Sequence, residues 1–196
     1  MIRKLILASL LLGLTATATK AEDVYNIDPM HSEISFSVSH MVINTVRGKF
    51  KDFKGQVWLD GKQPTKAEGT IEAKSVDTGV EKRDAHLRSD DFFAVSKFPE
   101  ISFKTKSVEK DGNSVTLVGD FTMHGVTKEV KLPVTVKGPI KDPMGSIRIG
   151  LQTSTKLNRS DYGLKYNAVL EAGGLAIGED VTIEINAEAI KAVSKS

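Results

Sequence analysis

Imidazole is the commonest metal ligand and the side chain that titrates nearest to neutral pH, so the four histidines are tested first for chemistry. His31, His40, His86 and His124 stand in four separate segments with no HxH or HExxH spacing. A metal centre would depend entirely on the fold to assemble it, and none is expected. Asp28, His31 and Ser32 are the residue types of a hydrolytic triad, but sequence neighbours do not form one and no GxSxG elbow is present. The chain has no cysteine, which removes thiolate nucleophiles, thiolate metal sites and disulfides together. Two groups of polar residues remain. His40 shares an apolar face with Phe36 and Val38, where it is either a hydrogen-bonded core histidine or a polar contact inside a cavity. Arg83, Asp84, His86 and Arg88 crowd one short stretch, and they either bind an anionic head group or brace a helix.

The elements that must position these groups read mostly as strands. From Glu33 to Val42, Ile34, Phe36, Val38, His40 and Val42 share one face while Glu33, Ser35, Ser37 and Ser39 share the other, the pattern of a half-buried strand. Val46, Gly48 and Phe50 fall on even positions and Phe53, Gly55, Val57 and Leu59 on odd ones. A bulge between Phe50 and Phe53 reconciles the two. Beyond the Asp60-Gly61 turn, Ala67, Gly69, Ile71 and Ala73 make an unusually small face, leaving volume that larger neighbours fill or a ligand occupies. Alternation continues through Ile101 and Phe103, then Val115, Leu117, Gly119, Phe121 and Met123, then Val126 to Val136, Ile147 to Leu151 and Val181 to Ala189. Pro133 points its strand to an edge or an irregular position.

One helix set, over residues 79–97, interrupts the strands. Thr78 and Glu81 have capping-box spacing, Asp84 and Arg88 are spaced for an exposed ion pair, and Val80 and Leu87 fall on the opposite side. Phe92 and Phe93 add apolar bulk, and Phe98-Pro99 stops the helix. About eight short antiparallel strands with one helix set predict a mainly β fold, either a sandwich or an up-and-down barrel. A barrel of that size has no free edges and can hold one small ligand.

Arg3 and Lys4 followed by an apolar run from Leu5 to Leu14 and small residues before Ala21 read as a cleavable signal peptide over residues 1–21, with Ala16-Thr17-Ala18 as a second acceptable cleavage site. The run is too short to span a bilayer comfortably. Cleavage removes Arg3, Lys4 and Lys20 and no acid, so the formal charge of +2 becomes −1. Nucleic acid, which needs clustered cations, is therefore not an expected partner. Residues 22–196 are one domain's length.

Several separated blocks resemble the YceI-like family of periplasmic polyisoprenoid-binding proteins. They are Ile27-Asp28-Pro29-Met30-His31-Ser32, Val46-Arg47-Gly48-Lys49-Phe50, Ser75-Val76-Asp77-Thr78-Gly79 with Arg83 to Ser89, Gly119 to Gly125, Asn158-Arg159 with Tyr162-Gly163-Leu164, and Leu170 to Gly174. Met144 and Tyr166 depart from the Trp that family members tend to carry. The resemblance implies a lipocalin-like antiparallel β-barrel whose apolar pore holds an isoprenoid, quinone or fatty-acyl lipid. No cofactor, no catalytic residue and no stable membrane insertion are expected, the signal peptide and the family together point to a periplasmic location, and a homodimer stays open. The expected wall residues are Ile34, Phe36, Val38, His40, Phe50, Ala67, Gly69, Ile71, Ala73, Leu87, Phe92, Phe103, Leu117 and Phe121; the head-group candidates are Arg47, Arg83, His86 and Arg88. Two other functions fit the same residues: a lipid-modifying enzyme using His40 or His86 as acid or base, and an interaction module whose barrel is packed solid.

Overall fold

Ten strands and one α-helix make up a computed structural model that describes residues 22–171 and 173–193. The predicted signal peptide lies outside the described residues. The strands are β1 (Asp23–His40), β2 (Asn44–Phe50), β3 (Phe53–Asp60), β4 (Gln63–Glu72), β5 (Val76–Asp77), β6 (Glu100–Asp111), β7 (Ser114–Met123), β8 (Val126–Lys141), β9 (Ile147–Asn158) and β10 (Ile177–Lys191). The helix α1 is Glu81–Arg88.

β1 pairs with β3 through residues 23–26 and with β2 through residues 34–40, so β2 and β3 act as one long strand kinked at residues 51–52. That kink is the expected parity switch between Phe50 and Phe53. The order then runs β3, β4, β6, β7, β8, β9, β10, and β10 returns to β1. Every ladder in it is antiparallel, and the circuit is a closed eight-stranded barrel. β1 carries a second parity switch that alternation from Glu33 onward does not reveal: its register against β10 shifts between Asp28 and Glu33. Ser32 closes this bulge by donating from Oγ to the Asp28 carbonyl at 2.7 Å and accepting from the Glu188 amide at 3.0 Å.

Pro133 occupies an irregular position in an internal strand. It faces Thr116 on β7, and on its other side the β8–β9 ladder begins only at Val134 and Thr153. A proline supplies no amide to a ladder, and here the wall is bridged by the Thr155 hydroxyl, which donates to the Lys131 carbonyl at 3.4 Å.

The helix set is shorter than its pattern predicts. α1 ends at Arg88, and turns carry the chain through residues 89–97. The Thr78–Glu81 capping box does not form, because buried Asp84 takes the bonds instead, accepting from the Thr78 amide at 2.9 Å and the Thr78 hydroxyl at 2.5 Å. Asp84 is thereby unavailable to Arg88, which pairs with Glu81 at 3.2 Å and donates to the Lys74 and Val76 carbonyls. Val80, expected on the apolar side, is 47% exposed.

One end of the barrel is packed solid. Tyr25, Leu59, Ile149 and Ala189 are almost fully buried there, with Val57, Leu151 and Ala187 packed around them. Outside this floor, the Arg148 guanidinium donates to Asp28 at 2.7 Å, Asp142 at 2.7 Å and Glu188 at 3.2 Å, tying β1, β9, β10 and the loop after β8 together. His31 Nδ1 lies 2.9 Å from the same Asp28 carboxylate, so the fold does assemble the His31–Asp28 pair and brings Glu188 beside it. Arg148 already supplies the cation between Asp28 and Glu188, and Ser32 is committed to the bulge, so neither a metal reading nor a triad gains support.

The Arg148 bond, with help from His31, holds the Asp28 carboxyl down at about 2, against 3.8 for an ordinary aspartate. A depressed carboxylate contributes stability that is complete above its unfolded pKa and is lost as pH falls through its folded one. Acid titration of the melting temperature is expected to show a loss between about pH 4 and pH 2 in wild type. Asp28→Asn lowers the neutral-pH stability and flattens that segment of the curve; an unchanged acid limb in the variant would exclude Asp28 as its source.

Candidate functional site

Above the floor the barrel encloses a cavity of about 530 Å³. Its lower wall is Ile27, Val57, Leu151 and Ala187, and its upper end reaches His40, Tyr166, Ala176 and Ile177. His40 is exposed and Tyr166 is 43% exposed, so this upper end is where the cavity meets solvent. Inward faces of neighbouring strands converge in a closed barrel, and the residues they supply here are overwhelmingly aliphatic and aromatic.

Glycines shape the wall in two different ways. A Cβ on Gly48 or Gly119 would collide with the ring of Phe36 or Phe103, so these two positions exist to let aromatic rings lie flat against the barrel. Gly55 and Gly69 face each other across β3 and β4. A Cβ on Gly69 would approach only backbone, the Lys54 carbonyl oxygen at 3.3 Å and Gly55 Cα at 3.9 Å. This pair leaves the wall bare toward the cavity.

All the predicted wall residues except Ala73 line the cavity. Ala73 falls one residue past the end of β4, where a 3-10 turn over Ala73–Ser75 rotates it away from the strand face. It is 1% exposed and packs in the core with Val76 and Phe93. Of the head-group candidates, Arg83 and His86 reach the cavity. Arg47 lies in a separate polar groove outside the barrel, and Arg88 is turned under the helix toward backbone carbonyls.

Arg83 is anchored by its bonds to the Thr78 hydroxyl at 2.7 Å and the Thr78 carbonyl at 3.0 Å. His86 Nε2 lies 2.9 Å from Asp91, and its ring sits edge-on to Phe92 and Tyr166 at 5.0 and 4.8 Å between centroids. Such packing fixes the ring as part of the upper wall. Leu87 and Phe93 turn inward beside it, so the helix set closes part of the open end.

Other residues of the wall stand outside the expected set. Val181, Ile183 and Ile185 follow plain alternation on β10 and complete the wall beside β1. Arg159 has no periodic signal at all, although it stands in one of the family-like blocks. Only 5% exposed, it donates from Nε to the Gly178 carbonyl, from Nη1 to the Leu164 and Tyr166 carbonyls, and from Nη2 to the Ile177 carbonyl. One guanidinium thus gathers both ends of the loop over residues 163–176 at the cavity's open end. Burial pushes its pKa down from the ordinary arginine value, as desolvation does for any cation. No carboxylate forms an ion pair with it among the described residues.

Comparison with known proteins now decides the family. The model of the YceI-like domain matches residues 25–189. The chain belongs to the YceI-like family. A UPF0312 protein of Staphylococcus epidermidis is 38% identical over 169 residues, covering 84% of this chain and 95% of the relative. Among solved structures, the Campylobacter jejuni YceI protein superposes with a TM-score of 0.68 at 27% identity, covering 96% of this chain and 100% of that one. A polyisoprenoid binding domain from Saccharophagus degradans, implicated in plant cell wall breakdown, gives 0.62 at 20% identity over 86% of this chain and 98% of its own, a likeness of fold. The closed barrel is the architecture that the family resemblance implied, while strand alternation alone had left a sandwich open. No helix among the described residues is long and apolar enough to cross a membrane.

Proposed function

We propose that this YceI-family protein binds an isoprenoid or another long-chain amphiphile, such as a quinone or fatty-acyl lipid, in its barrel cavity, and carries or stores it in the periplasm. The observation that carries the reading is the apolar cavity itself, closed below by the Tyr25–Ile149 floor and open above at His40 and Tyr166. Burying each chain CH₂ contributes roughly 0.8 kcal/mol, which offsets the cost of immobilising the chain after a few such groups. The family supports the reading, as does the polyisoprenoid-binding description of the Saccharophagus domain, and the signal peptide expected over residues 1–21 supports the location.

The protein is read as a binder and not as a catalyst. The family and the polyisoprenoid-binding description of the Saccharophagus domain support binding; the acid–base candidates His40 and His86 both stand at the open end of the cavity, and Ser32, locked in the β1 bulge, supplies no nucleophile beside them. A solidly packed interaction module does not fit the cavity.

Carrier activity is tested by mixing the protein with donor vesicles containing a fluorescent prenyl lipid and unlabelled acceptor vesicles. Transfer that rises in proportion to protein concentration is expected. Stoichiometric uptake without delivery would leave storage as the role, and no uptake would remove the lipid-binding proposal.

A further inference from the structure

Two loops bracket the open end of the cavity, and both hold apolar side chains in water. The turn between β1 and β2 is Met41-Val42-Ile43, and the loop over residues 163–176 carries Tyr166, Val169 and Leu175. Ile43 is 90% exposed, Val169 82% and Val42 71%, and the other three are exposed beside them. The two loops form one patch. The Met41 amide donates to the Ala176 carbonyl at 2.7 Å, a Cβ on Gly174 would lie 3.7 Å from Val42 Cγ2, and Val169 faces Leu175 in an antiparallel bridge. Their neighbours His40, Ala168 and Ala176 line the cavity, so the patch is the outer rim of its mouth.

Turn chemistry does not account for these residues. Met41 and Val42 both take left-handed backbone, with φ of 54° and 65°, where hairpins use Gly, Asn or Asp and a β-branched residue is an outlier. Backbone and solvent therefore both favour small polar residues where the chain places Met, Val and Ile. Contiguous exposed apolar surface marks a contact made outside the chain. A second copy is a poor match, because six side chains on two projecting loops fall short of the roughly 20–30 residues a side in a stable protein interface. A bilayer needs no shape-matched partner: a few apolar side chains enter its interface, and a half-exposed tyrosine suits the head-group level.

We propose that this rim docks on the surface of a lipid bilayer, the Met41–Ile43 turn and the Val169–Leu175 loop entering the head-group region so that a lipid passes between bilayer and cavity without crossing water. This rests on the reading that the cavity holds a lipid, and it adds the surface from which that lipid comes. The contact is peripheral. Arg47 and Lys165 are matched in number by Glu171 and Glu179 in the same two segments, so it is apolar and not electrostatic.

The test floats the protein with phosphatidylcholine vesicles, comparing wild type with two double variants, Val42→Asn with Ile43→Asn and Met30→Asn with Met144→Asn. Met30 and Met144 are equally exposed but stand at the floor end, beside Asp28 and Asp142. Wild type and the floor-end variant are expected to float alike at low and high salt, and the turn variant to lose about tenfold or more of the bound fraction. The turn variant's melting temperature should not fall, since Asn accepts the left-handed backbone. A fluorescent prenyl lipid delivered from cyclodextrin, without vesicles, should enter all three proteins equally. Wild type that does not float, equal flotation of wild type and the turn variant, or flotation that needs phosphatidylglycerol and disappears in high salt would overturn the proposal. So would a wild-type dimer that the turn substitutions disperse, which would assign the patch to a second copy. Failure of wild type to take lipid from cyclodextrin would instead remove the lipid-binding reading, with flotation still deciding the docking.

Discussion

Gly69→Leu is expected to abolish uptake of a lipid probe, weakening it by more than about tenfold, while the barrel stays folded with a melting temperature within a few degrees of wild type. Gly69 lies opposite Gly55 on the cavity wall, and its added Cβ comes 3.3 Å from the Lys54 carbonyl oxygen, a tight contact that a shift of a few tenths of an ångström relieves, leaving the cavity that Gly69 lines as the space for the rest of the leucine. The leucine fills the space a chain would occupy. The same replacement at Gly119 has the opposite balance, because its Cβ collides with the Lys104 carbonyl oxygen and the Phe103 ring. Overpacking of this kind costs roughly 1 to 3 kcal/mol, so Gly119→Leu should lower stability first. Ala73→Leu belongs with Gly119, since Ala73 sits in the solid core. Parallel binding and thermal melts on the three variants check the contrast. Unchanged uptake by Gly69→Leu together with a lowered melting temperature would show that this position packs against protein and that the ligand path is misplaced.

Arg159→Met should produce the largest loss of stability among changes at the open end, about 3 kcal/mol or more, by removing the donors to four carbonyls at once. Methionine replaces the aliphatic stem and none of the hydrogen bonds. Lysine restores a charge but not the planar fork, so Arg159→Lys should recover little. Hydrogen exchange over residues 163–178, read beside a denaturant melt, separates local from global loss. Faster exchange in that loop than in the floor strands, with faster release of bound lipid, is the expected pattern; uniform exchange across the barrel would mean that Arg159 supports the whole fold and not the loop specifically.

Much of the wall was legible because a barrel has a period-two code. Residues such as Phe36, Ile71 and Phe121 lie on faces whose direction follows from alternation alone, and the Phe50–Phe53 parity switch announces the kink between β2 and β3. Ala73 shows where that code ends: parity assigns it to the same face as Ile71, but the backbone has already turned. The bulge in β1 between Asp28 and Glu33 was hidden because Pro29 and the polar residues around it break the alternation that would have revealed it. Short-range helix rules misassigned Asp84, whose carboxylate is claimed by Thr78 before Arg88 can reach it. Arg159 depends on partners that no local pattern names, carbonyls from a later loop.

The most direct test of the account is to extract the purified protein with organic solvent and identify the extract by mass spectrometry, with Gly69→Leu prepared in parallel. The account predicts one class of long-chain lipid, near equimolar with wild type and lost from the variant. A wild-type protein that is consistently empty, and that also fails to take up a fluorescent lipid, would contradict it.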